Sequence, residues 1–287
     1  MITRATVVTY PDGATTSTSR VVHVLDAGEG RIAVILDATA FHPVDTAWPD
    51  QPADRGTLRT AAGDEVEILD AVVGATQGDS LLLGPDVPVR TGTAGWTFVV
   101  AHVVAAGSPI AEGDDVTIEV DAGHRVALSA GHTACHLASL ALDAALADAW
   151  RKEVAADALG APAFDASAIQ ESRILPDGAR DVYRIGKSLR RKGFDVEALT
   201  DLDGLAARVD ARLADWVAGR AGVRIERDGT LLADRRTWVC ALPGGDARIP
   251  CGGTHITSLA ALRAVTVQFS SSPVEGGLEL VMTTTAA

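Results

Sequence analysis

Apolar and polar positions in the first 122 residues fall into short runs of strand length. Alternating or continuous apolar runs occupy residues 2–9, 19–25, 31–36, 65–73, 96–104 and 116–120. Turn clusters separate them, among them Pro11-Asp12-Gly13, Ala27-Gly28-Glu29-Gly30 and Gly113-Asp114-Asp115. Regularly spaced strands without a long helical repeat predict a barrel or a sandwich. A proline-marked loop, residues 41–55 with Pro43, Pro49 and Pro52, interrupts the series.

The period changes near His124. Residues 127–150 contain no proline and many Ala and Leu, with Gly131 as a breaker, which predicts a long helix. Residues 199–219 predict a second helix whose apolar face is Leu202, Leu205, Val209, Leu213 and Trp216. Strands are expected again at 223–227, 238–242, 248–250, 264–269 and 278–283, with Pro243-Gly244-Gly245-Asp246 joining two of them as a hairpin. The pattern therefore predicts an α+β chain of two domains, a β-rich one over 1–122 and an α+β one over 123–287.

Composition narrows the partners. The 287 residues are 47% hydrophobic, enough for a proper core, and their formal net charge is −13. Such a chain has no bulk attraction for nucleic acid or anionic membrane, so any polyanion must meet a local patch. Three cysteines do not make a disulfide framework, and reduced thiols or metal ligands are expected instead. The opening residues lack the pattern of a secretion signal. The most apolar window, residues 98–106, is about half of what a membrane span needs. These features predict a soluble cytoplasmic protein with no membrane partner.

Two short motifs carry candidate chemistry. In His132-Thr133-Ala134-Cys135-His136 the imidazoles stand at i and i+4, on one face of the long helix. In Cys251-Gly252-Gly253-Thr254-His255 a thiol and an imidazole leave a glycine-rich turn, where small residues let the backbone approach closely. Each motif alone is a weak signal. Together they gather three of the seven histidines and one of the three cysteines, which favours a zinc site. Cys135 could compete for the metal, but the preferred reading is a small buried thiol. A four-ligand set is the closed, structural pattern, whereas activating water requires a ligand to leave or a fifth position. Both readings stand at the level of sequence.

The pair of motifs resembles that of the editing domain of alanyl-tRNA synthetase and its free-standing relatives, the AlaX trans-editing proteins. Glu119-Val120-Asp121-Ala122-Gly123-His124-Arg125 is similar to the family's Val-Asp-x-x-x-Arg lead-in, and Asp246-Ala247-Arg248-Ile249-Pro250 to its hairpin into the second motif. Leu36-Asp37 with Thr39, Phe41 and Pro43, then Gln51-Pro52-Ala53-Asp54-Arg55-Gly56-Thr57, resembles the glycine-rich-loop region of the longer AlaX proteins. Two departures stand out: residues 44–50 are longer and glycine-free where the family has Gly-Gly-Gln, and Gly277-Leu278-Glu279-Leu280 replaces a basic segment.

The resemblance implies a translation-factor-like N-terminal β-barrel followed by an α+β editing domain of the threonyl/alanyl-tRNA synthetase type. It implies one Zn²⁺ per chain, held by His132, His136, Cys251 and His255. The implied activity is hydrolysis, in trans, of Ser or Gly from mischarged tRNA for alanine. Thr133 and Thr254 are then the candidate catalytic hydroxyls, and Gly252 and Gly253 border the substrate. Gln170 is the candidate for the family's specificity glutamine. No ligase activity is expected, because no signature of the ATP-dependent aminoacylation domain is present. Two alternatives remain: a hydrolase or acyl-transfer enzyme reused for another aminoacyl ester, and a non-catalytic, zinc-stabilised tRNA-binding module.

A tRNA partner needs a basic surface. Residues 173–192 hold seven cations against Asp177 and Asp181, a local charge of +5, with Tyr183 and Phe194 as aromatic faces. Arg184, Lys187, Arg190, Arg191 and Lys192 are the candidate phosphate contacts, a reading weighed evenly against a merely solvated face. Gly186-Lys187-Ser188 lacks the earlier glycine of a phosphate-binding loop, so that motif is rejected. No DNA partner is expected. His23 and His102 read as strand residues, His42 as a loop residue, His124 as a junction residue and Cys240 as a buried thiol.

Overall fold

Strand-forming sequence dominates the first half. The computed structural model, which describes residues 2, 4–45, 47–78 and 80–287, builds it into β1 (Val7–Val8), β2 (Thr16–Gly28), β3 (Arg31–Leu36), β4 (Ala38–Thr39), β5 (Gly56–Thr60), β6 (Glu65–Ile68), β7 (Asp70–Thr76), β8 (Leu81–Leu83), β9 (Thr97–Ala105) and β10 (Asp115–Val120). Thr3 of the expected strand 2–9 and Thr46 of the expected loop lie outside the described residues. The β2–β3 hairpin turns through Gly28, Glu29 and Gly30, all at positive φ, where glycine is strain-free. β1 and β4 pair in parallel, and the other eight strands form one sheet in the order β6-β5-β10-β2-β3-β9-β7-β8.

That order does not confirm the expected closed barrel. β6 and β8 stand at its two ends, but β6 runs through Leu69, whose N–H donates to Val103 O at 2.8 Å, directly into β7, so one stretch pairs first with β5 and then with β9. β6 alternates exposed Glu65 and Glu67 with buried Val66 and Ile68, whereas β8 is Leu81-Leu82-Leu83, three half-buried leucines. The inward faces form one core around Val34, Leu36, Phe41, Leu58, Phe98, Val100 and Ile118.

The remaining elements are α1 (Ala122–Ala145), α2 (Phe164–Ala168), β11 (Ile169–Leu175), β12 (Gly178–Ile185), α3 (Lys187–Arg191), α4 (Leu202–Ala218), β13 (Val223–Arg227), β14 (Arg236–Leu242), β15 (Gly245–Pro250), β16 (Val265–Val274) and β17 (Gly277–Ala286). α1 starts five residues before the expected position because the Asp121 carboxylate accepts from His124 N–H at 3.0 Å and caps it. Asp201 caps α4 through Gly204 N–H at 2.9 Å, and Leu205, Val209, Leu213 and Trp216 are its buried stripe. The strands make a four-stranded sheet, β11-β12-β17-β16, and a three-stranded one, β13-β14-β15. The chain is thus sheet-rich α+β. No helix among the described residues is long and apolar enough to cross a membrane.

By contact density there are two compact units. One comprises Met1–Val126 with residues 227–236 and 252–254; the other comprises Ala127–Glu226, Thr237–Cys251 and His255–Ala287. In the first, Val8 N–H donates to Thr230 O at 2.8 Å and Leu232 N–H to Thr6 O at 3.0 Å, which stitches the late segment to the β-rich core.

In the second unit a buried acidic cluster holds α2. Asp143 accepts from Asp165 N–H at 2.7 Å, and Tyr183 O–H donates to Asp165 at 3.0 Å. Burial, reinforced by the carboxylates of Asp165 and Asp157, pushes the Asp143 carboxyl from 3.8 to about 8. The native state therefore keeps a proton that the unfolded chain releases, and this contribution to stability is lost as pH rises from about 4 through about 8. The slope is at most about 1.4 kcal/mol per pH unit. Asp143→Asn keeps the acceptor and removes the titration. Urea titrations at pH 5 and pH 8 are expected to differ less for this variant than for the wild type, with its gain at pH 8; equal slopes would refute the assignment.

Candidate metal centre

The helical repeat of α1 stacks His132 and His136 one turn apart, with ring centroids 4.8 Å from each other. The β14–β15 hairpin, tight because Leu242 pairs with Gly245, delivers Cys251 directly after Pro250. His255 follows on the same turn. The Cys251 Sγ lies 3.4 Å from His132 Nε2 and 3.3 Å from His255 Nε2. One donor atom from each of His132, His136, Cys251 and His255 falls within 4.8 Å of all the others.

The group fits a metal on two further counts. Donors on a tetrahedral zinc stand roughly 3.3–3.6 Å apart, given its usual bond lengths, so the thiol–imidazole pairs are already at that separation. His136 Nε2 is buried with no hydrogen-bond partner among the described residues, an orphan that a cation would satisfy. Burial also lowers the His136 pKa to about 4, so the imidazole is neutral and offers a lone pair at neutral pH. Trp238, fully buried, packs against His136 with centroids 5.0 Å apart.

Thr133 is wholly buried, with its hydroxyl engaged by protein. It donates to Ser129 O at 2.8 Å, and its oxygen lies 3.3 Å from His255 Nδ1. With the hydroxyl proton committed to Ser129, the His255 hydrogen bond requires Nδ1–H. Its Nε2 is then left as a bare lone pair on the Cys251 side. Thr133, a candidate catalytic hydroxyl, is thus placed where it sets the tautomer of His255.

Thr254 is held in the first unit by Gln51, which is 1% exposed. Thr254 N–H donates to Gln51 Oε1 at 3.0 Å, and Gln51 Nε2 donates to Thr254 Oγ1 at 2.9 Å. In the sequence Gln51 stands out only within a motif, and Gln170 is the candidate specificity glutamine. Gln170 is exposed on β11 and donates to Ile169 O at 3.1 Å. The signal was present in Gln51-Pro52-Ala53-Asp54, whose last residue is also engaged. Arg125 Nε donates to Asp54 Oδ1 at 2.7 Å, and its Nη2 donates both to Asp54 Oδ2 and to Ala40 O. This buried, bidentate ion pair fixes the loop that carries Gln51.

Gly252 is exposed and Gly253 buried. Neither sits at positive φ, and a Cβ on Gly252 would make only ordinary contact, 3.6 Å from Arg236 Nη2. Close backbone approach at Gly252 is therefore not what this geometry requires. Cys135 faces Asp181 and Ser172, at 3.6 and 3.8 Å, outside the donor group. Cys240 is fully buried, and burial pushes its thiol up to about 11. His102 is satisfied by Thr39 Oγ1 and Val34 O, His42 packs edge-on to Tyr10, and His23 pairs with Glu112. Arg184 on β12, Lys187, Arg190 and Arg191 on α3, and Lys192 just after it are all exposed.

No protein-family model matches the chain. Whole-chain similarity does. The chain is 30% identical over 262 residues to an alanine–tRNA ligase of Parafrankia sp. (strain EAN1pec), covering 89% of this chain. It is 29% identical over 255 residues to that of Frankia alni and 28% over 272 residues to that of Pyrobaculum neutrophilum, covering 88% and 93% of the chain. The chain is a homologue of alanine–tRNA ligases. It spans about a quarter of the length of these curated relatives, 24 to 25%. In this alanine–tRNA ligase homologue the matched stretch, at 88 to 93% of the chain, is too long to lie within either unit alone.

Proposed function

We propose that the chain is a zinc-dependent aminoacyl-tRNA hydrolase of the editing type, which removes Ser or Gly from mischarged tRNA for alanine in the cytoplasm. The observation that carries the reading is the convergence of three imidazoles and one thiol in a homologue of alanine–tRNA ligases. This donor set suits zinc, which prefers tetrahedral nitrogen and sulfur ligands. Zinc bound there supplies Lewis-acid polarisation and a fixed charge beside the ester.

The chain's own residues do the rest. His132, His136, Cys251 and His255 are the ligands, and Thr133 holds His255 in the tautomer that ligation needs. Thr254, tied to Gln51 through main chain and side chain, and Gly252 and Gly253 shape the turn that faces substrate. An aminoacyl ester is already activated, so orientation of ester and water suffices for hydrolysis. A polar pocket that senses the Ser hydroxyl selects against Ala because its groups then go unpaired. We read the eight-stranded sheet of the first unit as the counterpart of the translation-factor-like barrel, and residues 123–287 as the editing domain.

The test is release of amino acid from a panel of charged tRNAs, with and without a chelator. Chelator-sensitive release of Ser or Gly from tRNA for alanine is the expected outcome. Binding without release favours the zinc-stabilised module, and release only from other aminoacyl esters favours reuse of the site.

A further inference from the structure

One surface of the second unit carries a group of exposed cations. Arg184, Lys187, Arg190, Arg191 and Lys192 form no ion pair among the described residues, although Arg184 stands opposite Glu279 on β17 and donates to Glu275 O. A sixth cation, which the sequence pattern did not single out, joins them. Residues 149–151 lie beside 193–195: Arg151 N–H donates to Gly193 O at 2.9 Å, Asp195 N–H donates to Ala149 O at 2.8 Å, and Trp150 stacks edge-on to Phe194 at 5.2 Å. This pairing carries exposed Lys152 to α3, where its Nζ donates to Arg191 O at 3.0 Å. Arg151 is excluded, since Asp195 pairs with it at 2.6 Å.

Two rulers place this patch relative to the metal ligands, all within the second unit. Along α1, His136 to Ala145 spans nine residues, roughly 14 Å at 1.5 Å each, and Trp150 lies beyond that end. Along β12, Asp181 sits level with Cys135, their side chains 3.6 Å apart. Ile185, four residues on, is then roughly 13 Å further, with Lys187 beyond it. Helix and strand agree that the cations start about 15 Å from the donor group.

We propose that these six cations, with Lys152 as the new member, bind the phosphodiester backbone of tRNA upstream of its single-stranded 3′ end, not at the terminal nucleotide. At about 3.4 Å per stacked nucleotide, 15 Å or more from the ester corresponds to the fourth or fifth nucleotide and the stem below it. The patch gives the enzyme a length requirement: substrates too short to reach it bind through the metal centre alone. The inference rests on the proposed deacylase reading, and its test separates the two.

The test compares wild type with Arg190→Gln/Arg191→Gln/Lys192→Gln and with Lys152→Gln, all surface changes checked by thermal melting. Two substrates are used, seryl-tRNA for alanine and seryl-adenosine. The triple variant is expected to lose at least ~10-fold in kcat/KM on the tRNA, with a flatter salt dependence, and to stay within about twofold on seryl-adenosine. Lys152→Gln is expected to give a smaller loss of the same kind. Equal losses on both substrates, or none on either, would overturn the patch. If wild type cleaves neither ester, binding of an uncharged tRNA acceptor hairpin decides. Weakening by the triple variant then upholds the patch while the deacylase reading fails, and unchanged binding overturns the patch.

Discussion

His132→Ala or Cys251→Ala abolishes metal binding and ester hydrolysis together. The loss in kcat/KM is expected to exceed ~100-fold, because weakening even the outer partners of metal ligands costs about 10- to 100-fold. The reasoning starts from the donor spacing. Cys251 Sγ stands 3.3–3.4 Å from two imidazole nitrogens, so removing it leaves three histidines and no charge-neutralising thiolate. Removing His132 takes away one of the two nitrogens nearest that sulfur. Thr133→Ala is the graded companion. It deletes the acceptor of His255 Nδ1–H without touching a ligand, and it is expected to weaken metal affinity by about 10-fold or more. The checks are metal content per chain by elemental analysis and deacylation of seryl-tRNA by the same preparations. A His132→Ala protein that retains one metal per chain would remove these four residues from the metal site. Full activity in a metal-free preparation would remove the metal from the mechanism.

The four donors were legible because each pair is local in sequence. His132 and His136 share a helix face by the i, i+4 rule, and Cys251 and His255 share one turn. What joins the pairs is tertiary, and so is every supporting contact. Gln51 reaches Thr254 across 203 positions, and Thr133 reaches His255 across 122, separations over which no periodicity in the sequence runs. Exposed Gln170 drew notice because it neighbours other polar residues, which is also why it stays on the surface.

The fold was legible where apolar runs are dense and uninterrupted. Arg31–Leu36 and Val223–Arg227 have the predicted limits, while the expected strand 65–73 splits at exposed Leu69 into β6 and β7. β11 and β12 were missed for an identifiable reason. Their outward positions carry Arg173, Arg180 and Arg184, so the stretch looked like a charge run. The inward positions Ile174, Ala179, Tyr183 and Ile185 show the strands, and Pro176-Asp177-Gly178 marks the turn. The bend of the 65–73 stretch at Leu69 was also unreadable, because it depends on pairing with β5 before it and with β9 after it, which no local pattern shows.

Gly131→Ala destabilises the second unit by on the order of 3 kcal/mol, the second of the two largest expected effects. In the sequence Gly131 was only a breaker inside a helix, where alanine is ordinarily better by about 1 kcal/mol. The packing reverses that sign. The β11–β12 turn lies directly on α1, with Asp177 N–H donating to Ala127 O at 2.9 Å. A Cβ at residue 131 would stand 2.3 Å from Leu175 O, 2.4 Å from Gly178 O and 2.8 Å from Gly178 N. All three are backbone atoms, so no side chain can swing aside, and helix or turn must shift. The turn is itself pinned, because Ala286 N–H donates to Asp177 O at 2.8 Å and a Cβ at Gly178 would meet Thr284 O at 2.6 Å. The strain therefore falls on α1 at the residue before His132, so weaker metal binding accompanies the lower melting temperature. Gly123→Ala on the same helix is the control, since its nearest neighbour is the end of the Asp121 side chain at 3.4 Å. Thermal melting should leave the Gly123 variant within about 0.5 kcal/mol of wild type. A Gly131 variant as stable as that control would show that the helix and the β11–β12 turn do not make this close approach.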